Sequence, residues 1–327
     1  MRRRVSFPTA IAAAFVVIFG GALLRPAAGQ ATNTGKSPDS NQDEKSASRF
    51  SVDTTLVLIP ATITDPLNRF VLGLDKKSFH LFEDGAEQTI AHFSGEDVPL
   101  SVGLVFDTSG SMADKLRTSG QAVLQFLKTM NADDEAFLIQ FSDRAELAAG
   151  FTSRFSDIED KLVSMRPGGL TAMLDAAGMA LHEMKKARNP RKAILIISDG
   201  GDNNSRYSAH EIQSLVREAD VQIYAMGVFE PALALGMTPE EISGPRLLSE
   251  LAEQTGGRAF SASKPMDLPS VATRIGIELR NQYVLAYVPK NQARDGKYRR
   301  VELKVSEPPG IPDLKLHWRL GYYAPSN

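Results

Sequence analysis

Leu100-Ser-Val-Gly-Leu-Val-Phe106 is a short apolar run that ends on Asp107, and Leu116, Gly120, Val123, Leu124, Leu127 and Met130 follow it at helical spacing. Another apolar run fills 136–141. The alternation continues with a helix from 171 to about 187, a run at 193–197, a helix over 208–219 and a run at 221–229. Strands covered by helices on both faces read as continuous apolar runs rather than alternating ones. Strand, helix, strand, helix therefore restricts this part of the chain to an α/β fold with a doubly wound, mostly parallel sheet. Residues 230–244 interrupt the pattern with Pro231, Pro239 and a Thr238-Pro-Glu-Glu helix start. A helix at 247–254, ended by Gly256-Gly257, a short strand at 258–261 and a helix at about 268–280 then close a domain assigned to 96–281.

On both sides of that domain the texture is β. Leu56 to Ile59, Ile63, Phe70 to Leu74, and Phe79, Leu81 and Phe82 read as strands, with a hairpin at Asp84-Gly85. After the domain come strands at 283–288, 301–305 and 314–323, with a turn at Asp295-Gly296. The segments 51–95 and 282–327 are each too small to bury a core alone, so they are expected to pair into one flanking β module.

The first residues carry a different signal. Arg2, Arg3 and Arg4 precede an uncharged stretch of 17 residues from Pro8 to Leu24, and small residues follow at Ala27-Ala28-Gly29. That order is a secretory signal, assigned to 1–29; the competing reading is an uncleaved anchor, since about 20 apolar residues span a bilayer. Either way the protein is expected to be exported, to the periplasm or outside the cell. Residues 30–50 are polar and Ser/Asn-rich, a disordered linker. Without residues 1–29 the chain has 33 basic against 39 acidic residues, a net −6, which speaks against nucleic-acid binding. With no cysteine in 327 residues, disulfides, zinc knuckles, iron–sulfur clusters, thiol nucleophiles and a lipidated cysteine are all excluded.

Oxygen chemistry remains. Asp107-Thr-Ser109-Gly-Ser111-Met stands where a parallel strand hands over to a helix, the usual place for ligand sites in such sheets. Spacing by two along a turn aims the oxygens of Asp107, Ser109 and Ser111 at one point. Gly168-Gly-Leu-Thr171-Ala-Met-Leu-Asp175 and Ser198-Asp199-Gly200 supply matching groups at other element ends. Such hard donors suit Mg2+, Mn2+ or Ca2+ rather than zinc. Taken singly, each has a plainer reading: Asp and Ser also cap helices, Asp199-Gly200 resembles an ordinary turn, and Asp175, one helical turn after Thr171, either supports the site by hydrogen bonding or is a favourable first-turn acid. Asp202, Asn203 and Asn204 read as loop polarity, though they lie near enough to Asp199 to be rim contacts.

D-T-S-G-S-M, G-G-x-T-x-x-x-D and S-D-G in this order resemble the von Willebrand factor A domain and its metal-ion-dependent adhesion site. The resemblance implies a six-stranded sheet. It also implies a divalent cation, Mg2+ first, held by Ser109, Ser111 and Thr171 and, directly or through water, by Asp107 and Asp199. A protein partner offering an Asp or Glu carboxylate would complete the coordination. Gly73-Leu74, Glu83-Asp84-Gly85, Gln282-Tyr283, Tyr287, Lys297-Tyr298-Arg299 and Gly321-Tyr322-Tyr323 further resemble a bacterial exported family related to this domain. Residues 230–244 leave a strand's C-terminal end and are expected to touch the partner, or else to be a plain surface loop.

Two rivals differ in class. A magnesium-dependent phosphatase of the haloacid dehalogenase type needs a second Asp two residues after the first, where this chain has Ser109; His182-Glu183 likewise fails as a zinc-protease motif because Lys186 replaces the second His. No enzyme is therefore expected. The other rival is a structural envelope protein whose metal only stabilises the fold. Trp318 and Tyr322-Tyr323 are expected to pack the β module.

Overall fold

The computed structural model describes residues 56–228, 239–262, 264–306, 310 and 313–326. The signal and linker assigned to 1–29 and 30–50 lie outside the described residues, as do residues 230–238 of the interrupting segment.

The described residues open with a β sandwich. Strand β1 (Val57–Thr64) is followed by β2 (Phe79–Glu83), β3 (Ala86–Gln88) and β4 (Ile90–Ser94). β2 and β3 form the expected hairpin, with Asp84 and Gly85 both at positive φ, +48° and +83°; two such residues give a turn whose twist matches the strands it joins. Residues 70–74, expected as a strand, are not one. Phe70 makes only an isolated bridge to Thr64, and Tyr283 fastens the stretch instead by donating its hydroxyl to the Val71 carbonyl and accepting from the Leu74 N–H.

From Leu100 the α/β domain is laid down as β5 (Leu100–Asp107), α1 (Leu116–Leu127), β6 (Glu135–Phe141), β7 (Ala145–Thr152), α2 (Ser156–Ser164), α3 (Met173–Glu183) and β8 (Arg191–Ile197). α4 (Ala209–Glu218), β9 (Gln222–Val228), α5 (Pro239–Gln254), β10 (Ala259–Ala262) and α6 (Leu268–Arg280) complete it. The sheet has six strands in the order β10-β9-β8-β5-β6-β7, parallel except for the edge strand β7, which runs antiparallel to β6. Every residue of β5 is buried, because α1, α2 and α6 cover one face of the sheet while α3, α4 and α5 cover the other. Two elements escaped the sequence reading. β7 lies at an edge and is half exposed, so it lacks an apolar run, and α2 buries only Ile158. The helix start read at Thr238-Pro-Glu-Glu agrees with α5, which begins at Pro239 and runs without a break into the helix expected at 247–254.

The chain then re-enters the sandwich through β11 (Tyr283–Tyr287), β12 (Tyr298–Val305), β13 (Lys315–Trp318) and β14 (Gly321–Tyr323). β1 pairs with β11 and β13, while β12 pairs with β2 and β14, giving two four-stranded sheets with strands from both flanks. Ile59, Ile63, Leu81, Leu285, Tyr287 and Leu303 pack between them. The single run expected at 314–323 is thus two strands, one in each sheet. The corner between them meets the α/β domain: Arg319 bridges to Thr255, and Gly256, at φ +79°, leaves no room for a Cβ, which would stand 2.4 Å from the Arg319 nitrogen. Among the described residues no helix is long and apolar enough to cross a membrane.

Candidate metal centre

β6 lies on one side of β5 and β8 on the other, so the chain leaves the C-terminal end of β5 at the point where the strand order reverses. Crevices form at such a point. Asp107 is the last residue of β5, and Asp199 stands two residues after β8.

Asp107 is fully buried. Its Oδ1 accepts from the Ser109 N–H at 2.8 Å and its Oδ2 from the Ser198 hydroxyl at 2.6 Å; that hydroxyl accepts in turn from the Gly200 N–H at 3.0 Å. Burial pushes the Asp107 carboxyl up to about 6; the bonds from Ser109 and Ser198 oppose this, and the Asp199 charge adds to it. The Ser109 and Ser111 hydroxyls lie 3.1 Å apart. Ser109 is buried and Ser111 exposed, so the pair leads from the strand end towards solvent.

Thr171 reaches this place through its neighbours. Gly168 N–H donates to the Thr108 carbonyl at 2.9 Å and Gly110 N–H to the Gly169 carbonyl at 3.1 Å. Leu170 N–H donates to Asp143 Oδ1 at 2.8 Å and Thr171 N–H to Asn203 Oδ1 at 2.9 Å, while the Thr171 carbonyl accepts from the N–H groups of Asn203 and Asn204. Three loops far apart in sequence are thereby knitted into one surface. Gly169 takes φ +82°, and a Cβ there would meet the Asp143 carboxylate at 2.7 Å. Gly169→Ala is expected to cost about 1–2 kcal/mol of stability from the left-handed backbone alone; an unchanged urea midpoint would show that the loop does not need this conformation.

Asp175 does more than sit in a first turn. Its Oδ1 accepts from the N–H groups of Arg206 and Tyr207, while Asp202 and Ser205 cap α3 by accepting from Leu174 and Asp175 N–H. Asp199, one-tenth exposed, accepts from the Lys115 ammonium at 3.1 Å. Lys115 and Asp143 are not singled out by the sequence, and no local signal marks them, since their partners lie 84 and 27 residues away; Asn203, read as loop polarity or a rim contact, instead holds the Thr171 backbone.

The donor set can be tested against a cation. Among the described residues no three His, Cys, Asp or Glu side chains come together as a metal site, so a centre here would depend on hydroxyls. Adjacent ligands of an octahedral magnesium stand about 3 Å apart when each bond is about 2.1 Å, and the Ser109–Ser111 separation fits that spacing. Beside Thr108, a polar cavity of about 380 Å3 runs along Gln140–Glu146 of the β6–β7 turn, with Asp143 and Arg144 in its wall.

Residues 102–201 match the family model for the von Willebrand factor type A domain; the fold and the matched segment together define a protein carrying such a domain. Among individual proteins, the chain is similar to an uncharacterized protein of Borreliella burgdorferi, 24% identical over 202 residues, which are 58% of this chain and 57% of that one. Among solved structures it is similar to the PilB minor pilin from Streptococcus sanguinis, at 15% identity and a TM-score of 0.44, covering 57% of this chain and 62% of the pilin. The von Willebrand factor domain of the type V pili tip protein Mfa5 from Porphyromonas gingivalis matches at 14% identity and a TM-score of 0.45, covering 55% of this chain and 95% of that domain. The chain therefore spans less than two thirds of the Borreliella relative and of the pilin.

Proposed function

We propose that this protein is an exported, divalent-metal-dependent protein-binding module without enzymatic activity. Ser109, Ser111 and Thr171 would hold the cation, Mg2+ first, with Asp107 and Asp199 neutralising it directly or through water. The observation that carries the reading is the hydrogen-bonded meeting of the three motif loops at the strand-order reversal, with two hydroxyls at magnesium ligand spacing. Bound there, a divalent cation supplies positive charge and a coordination position for a partner's Asp or Glu carboxylate. The chain's own part is to hold the hydroxyls in place, keep Asp107 away from water and present Ser111 at the surface. Three of the donors are neutral hydroxyls, so the bound cation keeps much of its charge, and metal and acidic partner should strengthen each other's binding, since linkage is reciprocal. Export rests on the basic, then uncharged, then small-residue order of 1–29; recovery of the protein from the cytoplasmic fraction alone would remove that part.

The test is calorimetric titration of chelator-stripped protein with Mg2+, Mn2+ and Ca2+, followed by capture of partners from an envelope extract with and without chelator. Saturable binding that Asp107→Ala loses, together with chelator-sensitive capture of a protein whose binding depends on one of its own carboxylates, is the expected result. Metal binding that raises the melting temperature yet leaves every capture unaffected by chelator would instead make the ion structural.

A further inference from the structure

Lys115 sits at the N-cap of α1, eight residues after Asp107. A helix N-terminus carries partial positive charge, so an ammonium is disfavoured there. Its side chain is nonetheless four-fifths buried, and its Nζ lies 3.1 Å from Oδ2 of Asp199, itself only 11% exposed. Burying most of a cation at the wrong end of a helix makes sense where a carboxylate holds it, and the carboxylate chosen is one of the two acids of the candidate metal centre.

We propose that Lys115 is a resident cation that competes with the divalent ion for Asp199 and so sets the affinity and selectivity of the centre. The inference rests on the metal reading above. Charge counting gives its consequence. Asp107 and Asp199 with Lys115 leave the metal-free centre at −1, which favours the ammonium where it stands. A divalent ion takes the total to +1, and the ammonium then either swings away on its four-carbon stem or stays as a second positive charge. Both alternatives weaken binding of the metal alone. Where the ammonium stays, the centre keeps one positive charge that an incoming carboxylate neutralises, so Lys115 then biases the centre towards holding metal and acidic partner together rather than metal by itself.

Lys115→Met removes the charge at nearly constant length, Lys115→Gln keeps a donor for Asp199, and Lys115→Arg keeps the charge. Mg2+ and Mn2+ alone, titrated into each chelator-stripped protein by calorimetry, are the probes, with circular dichroism to check folding. Removing a like charge a few ångströms from a divalent ion is expected to tighten binding about tenfold or more in the Met and Gln proteins, with Arg close to wild type. A lysine that merely braces the two loops predicts the opposite, because loosening them weakens a site. Affinity in the Met and Gln proteins equal to or below that of wild type overturns the inference while leaving the metal reading intact. Binding by the Met or Gln protein where wild type shows none supports it. Absence of binding in all four proteins overturns the metal reading and this inference together.

Discussion

Asp107→Asn should make the chelator-treated protein more stable at pH 7 while abolishing its response to metal. The Asp107 carboxyl is fully buried, and its pKa is pushed from the ordinary 3.8 up to about 6, chiefly by burial. Between those values the folded state binds more protons than the unfolded one, so stability falls as pH rises through that window, and the full penalty is present at pH 7. A shift of about two units corresponds to about 3 kcal/mol, an upper figure because the unfolded reference also matters. Asn has the same shape: its oxygen can accept from the Ser109 N–H, and its amide can donate to the Ser198 hydroxyl, reversing that bond and turning the hydroxyl hydrogen away, without the buried charge. Urea denaturation with chelator at pH 7 should show a gain of about 2–3 kcal/mol that shrinks towards zero near pH 4, and the metal-induced shift expected of wild type should be absent from the variant. Destabilisation by Asn at pH 7 would mean that the protein already compensates the Asp107 charge, and the carboxylate would then be a structural group rather than one held ready for a cation.

The same residues show what could be read beforehand. β5 and β8 were legible because helices on both faces demand continuous apolar runs, and the three loops were legible because D-x-S-x-S, G-G-x-T and S-D-G are local patterns. Lys115 was not, because its meaning lies entirely in a contact with Asp199 across 84 residues. The capping of α3 escaped for the same reason: Asp202 and Ser205 supply the acceptors from another loop, whereas sequence reasoning looks for a cap just ahead of the helix. The split of 314–323 into β13 and β14 is a tertiary event, as Arg319 turns away to reach Asp220 and Thr255 in the α/β domain.

The largest loss of stability is expected away from the metal centre, at Arg258. Its guanidinium pairs at 3.0 Å with Glu278 on α6, whose side chain is completely buried. Glu278 also accepts from the Tyr224 hydroxyl of β9, and Gln282 donates to that hydroxyl and to Thr62 of β1, so one polar chain runs from the sheet through α6 into the sandwich. Burial raises the Glu278 carboxyl above its ordinary value, with the charge of Arg258, the Tyr224 bond and the more distant Arg274 drawing it back. Arg258→Met removes the first of those counterweights and leaves a buried carboxylate without its ion pair, which costs about 3–5 kcal/mol. A carboxyl whose folded pKa lies above its unfolded one is protonated preferentially in the folded state, so lowering the pH towards the unfolded value should restore much of the loss. Glu278→Gln in the Arg258→Met background should restore it at pH 7 as well, since the amide can still bond Tyr224 without a charge to bury. Denaturation of the two single variants and the double variant at pH 5 and pH 7 closes the cycle. A double variant no more stable than Arg258→Met would show that Arg258 acts through its stacking on Phe260, 4.9 Å from the ring centre, and not through the charge of Glu278.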